Sequence, residues 1–207
     1  MAPDLLIEAA IRQFGERGFD GASTRAIAAE AGTVMSSITY RYGGKEGLYL
    51  ACADYIASQL VTHLNPVLER IASREPLDAS SAVEAVAALV ETIGRMMLTP
   101  ESEDWAQFVI REQHRPGPAF EHLYSGVIQR MADTVVRLVR IARPSLDDSE
   151  ARATGITLYG QALVLRAAHA AVLRTMGAER LSGTQQELLI QTIRANVHAI
   201  LKGEPQP

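Results

Sequence analysis

Residues Thr24 to Lys45, TRAIAAEAGTVMSSITYRYGGK, constrain what this chain can fold into more than any other stretch. They read as a short helix, a tight turn, a second short helix and the charged start of a third. Ser23 or Thr24 is expected to cap the first helix, since either hydroxyl can accept a bond from a free backbone N–H. Ile27, Ala28 and Ala31 share one face of that helix and pack inward. Ala31-Gly32 ends it, because glycine takes the left-handed conformation at no steric cost. The next segment, Met35 to Tyr42, carries Ser36, Ser37, Thr39, Tyr40 and Arg41, with Ile38 as its clearest inward anchor. It is too polar to be buried and too rich in hydroxyls for an ordinary surface helix. Small hydroxyl residues suit a helix that fits a DNA major groove and bonds to bases and phosphates. The pattern is a helix-turn-helix whose second helix is the reader.

The rest of the chain reads as helix throughout. Hydrophobic residues make up 47% and aromatic residues only 5%, which points to an aliphatic, helical core. Residues 4 to 18 form a first helix, with Ile7, Ala10, Ile11 and Phe14 at helical spacing and Gly18 at its end. Its task is to close a three-helix core over the reader, with Phe14 and Phe19 as plugs. Tyr42-Gly43-Gly44 breaks the chain before a long helix from Lys45 to about Ser73, which joins an N-terminal to a C-terminal domain. Further helices are expected over Ala79 to Leu98, Asp104 to Gln113, Phe120 to Ala142, about Asp148 to Met176, and Thr184 to Leu201. The fold class is therefore all-α, about nine helices, with a helix-turn-helix domain over 1–47 and a larger helical domain over 48–203. The helix from Asp148 is slim, with Gly155, Gly160, Ala162, Ala167, Ala168, Ala170 and Ala171. The last helix carries an apolar stripe of Leu189, Ile193, Val197 and Ile200. Two such helices from each subunit can build a four-helix dimer interface, although a slim helix can also simply pack inside its own domain. Only Gly203 to Pro207 reads as disordered.

At these residues a resemblance becomes plain. Phe14-Gly15-Glu16-Arg17-Gly18-Phe19, Ser23 to Ala28, Ala31-Gly32, Tyr40-Arg41-Tyr42 and Lys45-Glu46-Gly47-Leu48-Tyr49 resemble the DNA-binding domain of TetR/AcrR-type transcriptional repressors. Ile110-Arg111-Glu112-Gln113, Pro118 to Glu121, Leu123-Tyr124 and Gly160-Gln161 through Leu173-Arg174 resemble the CecR-like branch of that family. The resemblance implies a homodimeric, ligand-responsive repressor, dimerised through its last two helices, that binds a palindromic operator and is released by a small-molecule effector. It also implies DNA contacts at Arg25, Ser36, Ser37, Thr39, Tyr40 and Arg41, and places Tyr42 beneath the reader. Thr24, at the start of the first short helix, joins this set. Arg25 either bonds a guanine edge with two donors or clamps a phosphate. Lys45 stands at a helix start, where a cation opposes the helix dipole, and a nearby phosphate would account for it. Val34 and Met35 depart from the polar or basic residues the family often has there, and a methyl contact to thymine is open to both.

A ligand pocket is expected around Trp105, Phe108, Arg111, His114, Phe120, Tyr124, Arg166 and His169, because pockets combine apolar walls with a few placed polar groups. Read singly, Trp105 and Phe108 are core, and the arginines and histidines are satisfied surface groups. No cofactor, metal site or catalytic residue is expected. The histidines at 63, 114, 122, 169 and 198 lack the close pairing of a zinc site, and Cys52 has no second cysteine. Gly43-Gly44-Lys45 lacks the earlier glycine of a phosphate loop. No stretch approaches the roughly 18 apolar residues of a membrane span, Asp4 and Glu8 interrupt any leader pattern, and a single cysteine fits the cytoplasm. The net charge of −4 runs against DNA binding. Binding would then rest on few phosphate contacts per subunit and need two subunits. A helical ligand- or partner-binding protein without specific DNA binding is the alternative, and a small helical enzyme is a more distant one.

Overall fold

The computed structural model describes residues 4–203, and every described element is helical. In chain order these are α1 (Leu5–Gly21), α2 (Thr24–Glu30), α3 (Met35–Tyr42), α4 (Lys45–Ala72), α5 (Ala79–Met97), α6 (Pro100–His114), α7 (Pro118–Leu123), a π-helical turn (Tyr124–Ile128), α8 (Gln129–Ala142), α9 (Asp148–Ala167), α10 (His169–Thr175) and α11 (Gly183–Lys202). The expected disordered tail lies outside the described residues except for Gly203.

Two long helices expected from sequence are broken. The segment from Phe120 to Ala142 is interrupted at Gly126, whose φ of −107° and ψ of −113° are not helical. The segment from Asp148 to Met176 breaks at Ala168 (φ −117°, ψ 36°), and the halves α9 and α10 meet at 85°. At this break the His169 ring Nδ1 lies 3.2 Å from the Leu165 carbonyl oxygen. A continuous helix would give that acceptor to the backbone N–H of residue 169. The start signals behave as their chemistry requires. Asp147 and Glu150, then Ser182 and Gln185, form reciprocal capping boxes that open α9 and α11.

The described chain forms two compact units, one of residues 4–61 with 100–128 and one of 62–99 with 129–203. In the first, α1 buries Leu6, Ile7, Ala10, Ile11 and Phe14. Its helix ends in effect at Gly18, which adopts φ +74°. The partner of α1 is α6, which approaches so closely that a Cβ on Gly15 would lie 3.2 Å from both Gln107 Cβ and the Phe108 backbone nitrogen. Phe14, Phe19, Tyr49 and Phe108 gather beside this crossing. Ring centroids lie 4.8 Å apart for Phe14–Tyr49 and Tyr49–Phe108, and 5.1 Å for Phe19–Tyr49. Such pairs contribute about 0.5–1.5 kcal/mol each beyond the area they bury. Phe14 is a full plug of the core, whereas Phe19 is partly exposed.

The second unit packs α5 against α8, α9 and α11. Val86, Ala87, Val90 and Ile93 of α5 are buried, and Gly94 lets the Ile190 side chain of α11 come within contact. Gly155 does the same for Val135 of α8. Part of the slimness of α9 therefore serves its own unit. The stripe expected on α11 divides: Ile193 and Val197 are buried in this core, while Ile200 is exposed together with Leu188. A 100° rotation per residue puts 193 and 197 on a different side from 188, whereas Ile200 lies on the side of Ile193 and is exposed near the end of the helix.

Gly15→Ala should destabilise the protein by about 1–3 kcal/mol, because the added methyl meets the backbone nitrogen of Phe108 and not a movable side-chain tip. Chemical denaturation of the variant beside wild type checks this.

Candidate nucleic-acid interface

An eight-residue helix is too short to be stable alone, so α3 must be held by its neighbours. Ser23 occupies the N-cap position of α2, as expected, but its side chain makes no capping bond. Ala31 ends α2, Gly32 turns the chain at φ +66°, and the Thr33 N–H donates to the Ala28 carbonyl at 2.9 Å. Thr33 Oγ1 and Ser37 Oγ lie 3.1 Å apart and tie this turn to the first turn of α3. Glu30 fixes the far side, accepting from Arg12 Nε at 2.9 Å and from Gln13 Nε2 at 2.7 Å.

Ile38, 1% exposed, is the single buried residue of α3. Helical rotation then directs Ser36 and Tyr40 away from the core, with Thr39 on the flank. Tyr40 is 92% exposed, Val34 64% and Met35 54%, so the outer surface of the reader carries an aromatic ring, hydroxyls and two apolar side chains. Arg41 and Tyr42 fall nearer the Ile38 side and turn back to α1. Both bond Asp4: Arg41 through an ion pair, and Tyr42 by donating its hydroxyl at 2.8 Å. The Arg41 guanidinium also lies 5.2 Å from the Tyr42 ring centroid. Asp4 simultaneously caps α1 by accepting from the Leu6 N–H at 3.1 Å. Partial burial pushes the Asp4 carboxyl upward, yet the bonds from Arg41, Tyr42 and Leu6 outweigh it and leave its pKa below the usual 3.8. Burial and the Asp4 carboxylate together push Tyr42 up to about 12.

The exit from α3 depends on three glycines. Gly43 (φ +74°) and Gly44 (φ +128°) reverse the chain, and a Cβ on Gly47 would lie 1.8 Å from the Tyr42 carbonyl oxygen. No other residue fits at 47 without opening this turn. Lys45 begins α4, as expected, but leans back on α1: its Nζ donates to the Asp20 carbonyl at 3.3 Å and sits 4.9 Å from the Phe19 ring centroid. Thr24 is half-buried at the first position of α2. Arg25 is exposed beside it and makes no hydrogen bond or ion pair among the described residues.

The eight residues expected to line a pocket are placed in two groups. Trp105, Phe108, Arg111, His114, Phe120 and Tyr124 belong to the first unit, and Arg166 and His169 to the second. Trp105 and Phe108 are buried. Arg111 donates from its guanidinium to the Gly15 carbonyl at 3.1 Å and the Glu16 carbonyl at 3.0 Å, groups freed where Gly18 ends the helix. His114 is exposed on an open groove shared with Gln107, Ile110 and Arg115. The Phe120 and Tyr124 rings stack with centroids 5.4 Å apart. In the second unit Arg166 bonds the Met97 and Thr99 carbonyls at the end of α5, at 3.0 and 2.9 Å, while His169 serves the α9–α10 break.

Sequence reasoning missed Asp4, Glu30 and Glu112 as organising groups. Glu112 is 5% exposed; its Oε1 accepts from the Tyr49 hydroxyl at 2.5 Å, and its Oε2 has no hydrogen-bond partner among the described residues. Burial, then this bond and the charge behind it, raise the Tyr49 pKa. The buried pair joins α6 to α4 within the first unit. The one available signal was the sequence Arg111-Glu112, two charged residues on a helix that otherwise turns Trp105 and Phe108 inward.

A short helix standing clear of a three-helix core, entered by a glycine turn and left by another, defines a helix-turn-helix regulator. Comparison with known proteins agrees at both ends of the chain. Residues 6–52 match the pattern of "Bacterial regulatory proteins, tetR family", and residues 82–204 match "HTH-type transcriptional dual regulator CecR, C-terminal domain". The chain is 31% identical over 206 residues to the HTH-type transcriptional dual regulator CecR of Shigella flexneri, an alignment spanning 97% of this chain and 92% of that protein. It is 32% identical over 142 residues to the transcriptional repressor AcnR of Corynebacterium efficiens, covering 67% of this chain and 63% of that one. Among solved structures, a transcriptional regulator from Pseudomonas aeruginosa PAO1 shares the fold with a TM-score of 0.67 at 21% identity, covering 96% of this chain and 89% of that chain. AibR, solved in complex with isovaleryl coenzyme A and operator DNA, also has a TM-score of 0.67, at 13% identity and covering 92% of this chain and 95% of its own. The chain belongs to the TetR family of transcriptional regulators, with a C-terminal domain of the CecR type.

Asp4→Asn keeps a capping side chain on α1 but removes the ion pair with Arg41. Because the folded carboxyl titrates below its usual value, its contribution is present in full above about pH 4 and is lost as the pH falls below that. The variant should therefore be less stable than wild type by about 0.5 kcal/mol at neutral pH, the scale of a solvent-exposed pair. The two proteins should converge below about pH 3. Denaturant titrations at pH 7 and pH 2.5 measure the difference.

Proposed function

We propose that this regulator is a repressor that binds a roughly palindromic operator as a homodimer and is released by a small-molecule effector. The observation that carries the reading is the outer face of α3, where a 92% exposed tyrosine stands among hydroxyls on a helix whose single buried residue is Ile38. Thr24, Arg25, Val34, Met35, Ser36, Ser37, Thr39 and Tyr40 meet the DNA, with Lys45 on a phosphate at the start of α4. In the free protein Arg41 is engaged by Asp4 and its first role is to seat the reader. A DNA phosphate reaches Arg41 by replacing that carboxylate. Residues 1–47 are the reading domain, and residues 48–203 carry dimerisation and effector binding. Two readers would occupy successive major grooves about 34–36 Å apart.

The dimer forms through exposed apolar side chains of α9 and α11. Ile156, Leu163 and Val164, with Leu188 and Ile200, remain exposed in the isolated chain, and such a surface favours isologous pairing. Two sets of candidate effector contacts are proposed, each within its own unit: the stacked Phe120 and Tyr124 rings, His114 and the face of α6 carrying Trp105, Phe108 and Arg111 in the first, and Arg166 and His169 in the second. Effector and DNA oppose one another because each prefers a different conformation, so each must weaken the other by the same factor. The protein is not an enzyme and acts in the cytoplasm. No single described helix is long and apolar enough to cross a membrane.

Fluorescence-anisotropy titration with DNA from upstream of the coding region, against random DNA of equal length, tests the reading. Wild type should bind competitor-resistantly with two subunits per site. Tyr40→Ala should weaken operator binding by at least about tenfold, the effect of removing one good protein–DNA interaction from each half-site, with the dimer intact. Binding no tighter than to random DNA, there and in a selection from random sequences, would favour a helical ligand- or partner-binding protein. Val164→Glu with Leu188→Glu should give a monomer in analytical ultracentrifugation that has lost specific binding.

A further inference from the structure

The chemistry by which α3 distinguishes one base from another follows from what its exposed surface lacks. Strong readout of guanine uses an arginine or lysine with free donors. The one cation on α3, Arg41, is held by Asp4 and stacks on Tyr42. Ser37 spends one of its hydrogen bonds on Thr33 across the preceding turn. At the N-terminal end of the helix, the end that meets base edges in this motif, stand Val34 at the N-cap and Met35 in the first turn. Both are mostly exposed, at 64% and 54%, although valine and methionine are among the residue types most often fully buried. The Val34 side chain has no hydrogen-bonding group, and the Met35 thioether is only a weak acceptor. The apolar group that the major groove offers is the 5-methyl of thymine.

We propose that Val34 and Met35 are the specificity-determining residues of the reader and select thymine by packing on its 5-methyl group. The proposal rests on the operator-binding reading above. Ser36, Thr39 and Tyr40 then supply position and phosphate contact, and the thymines set where each half-site lies. Taking one methyl out of a buried interface removes roughly one CH2 equivalent of burial, which corresponds to about 3- to 5-fold in affinity.

The test uses the full-length protein and a duplex that it selects from random sequence. Each thymine is replaced in turn by deoxyuridine, which removes the methyl and nothing else. One or two positions per half-site should bind wild type about 3- to 5-fold more weakly as deoxyuridine. At those positions Val34→Ala or Met35→Ala should bring the thymine-to-uracil ratio to about one, each variant being compared with itself on the two duplexes. Both substitutions are at exposed positions and leave the core intact. Equal binding of thymine and uracil duplexes at every position overturns the proposal and leaves the repressor reading standing. So does a ratio that survives both substitutions undiminished. If no sequence is selected at all, the operator-binding reading fails and this proposal fails with it.

Discussion

The burial of Ile38 is the contact on which the rest of the reading head depends. A helix of eight residues with one buried side chain has almost no stability of its own, and α3 owes its place to what surrounds that side chain. Asp4 holds its last turn, the Thr33–Ser37 pair holds its first, and Gly43, Gly44 and Gly47 take the chain away without crowding it. The hydroxyl-rich outer face is free to meet another molecule because the inner face does so little. A second inward apolar residue would anchor α3 more firmly, but it would take one of few positions from the outer face.

The same logic extends α6 into the N-terminal unit. Gly15 allows α6 to lie against α1, Arg111 occupies carbonyls released at Gly18, and Glu112 bonds the Tyr49 hydroxyl beside the Phe14–Phe19–Tyr49–Phe108 cluster. The residues Ile110 to Gln113, matched by the C-terminal family pattern, therefore act on structure matched by the N-terminal one. A buried carboxylate with one unpartnered oxygen is expensive to keep in an apolar setting. Its position between α4 and α6 makes the geometry of those two helices sensitive to any change at Glu112. The Arg111 contacts have the same consequence for α1 and α6.

Short-range signals made much of this legible before any coordinates. Glycine placement fixed both ends of the reader, and the bounds Met35 and Tyr42 follow from it. Helical spacing and an aliphatic composition gave the fold class, and the family resemblance agreed with it. The sequence was silent where a partner lies far along the chain. Nothing near Arg41 indicates that residue 4 will neutralise it, and nothing near Gly15 indicates α6. Helical periodicity also carried the expected helices through Gly126 and Ala168, because a break costs only a few backbone bonds and leaves the apolar spacing on either side intact. The stripe on α11 misled for a related reason. An apolar pattern shows that a face is buried, and it does not distinguish the chain's own core from a partner's surface.

Two copies of α3, each held by its own N-terminal unit, are proposed to read DNA together, and hydroxyl-radical footprinting of the selected operator puts that pairing to the test. Two protected patches per operator are expected. Their centres should lie about 10–10.5 base pairs apart on one face of the duplex, each patch including the thymines nearest the reader. One isolated patch, or uniform protection that does not repeat with the helical turn, would refute the paired reading.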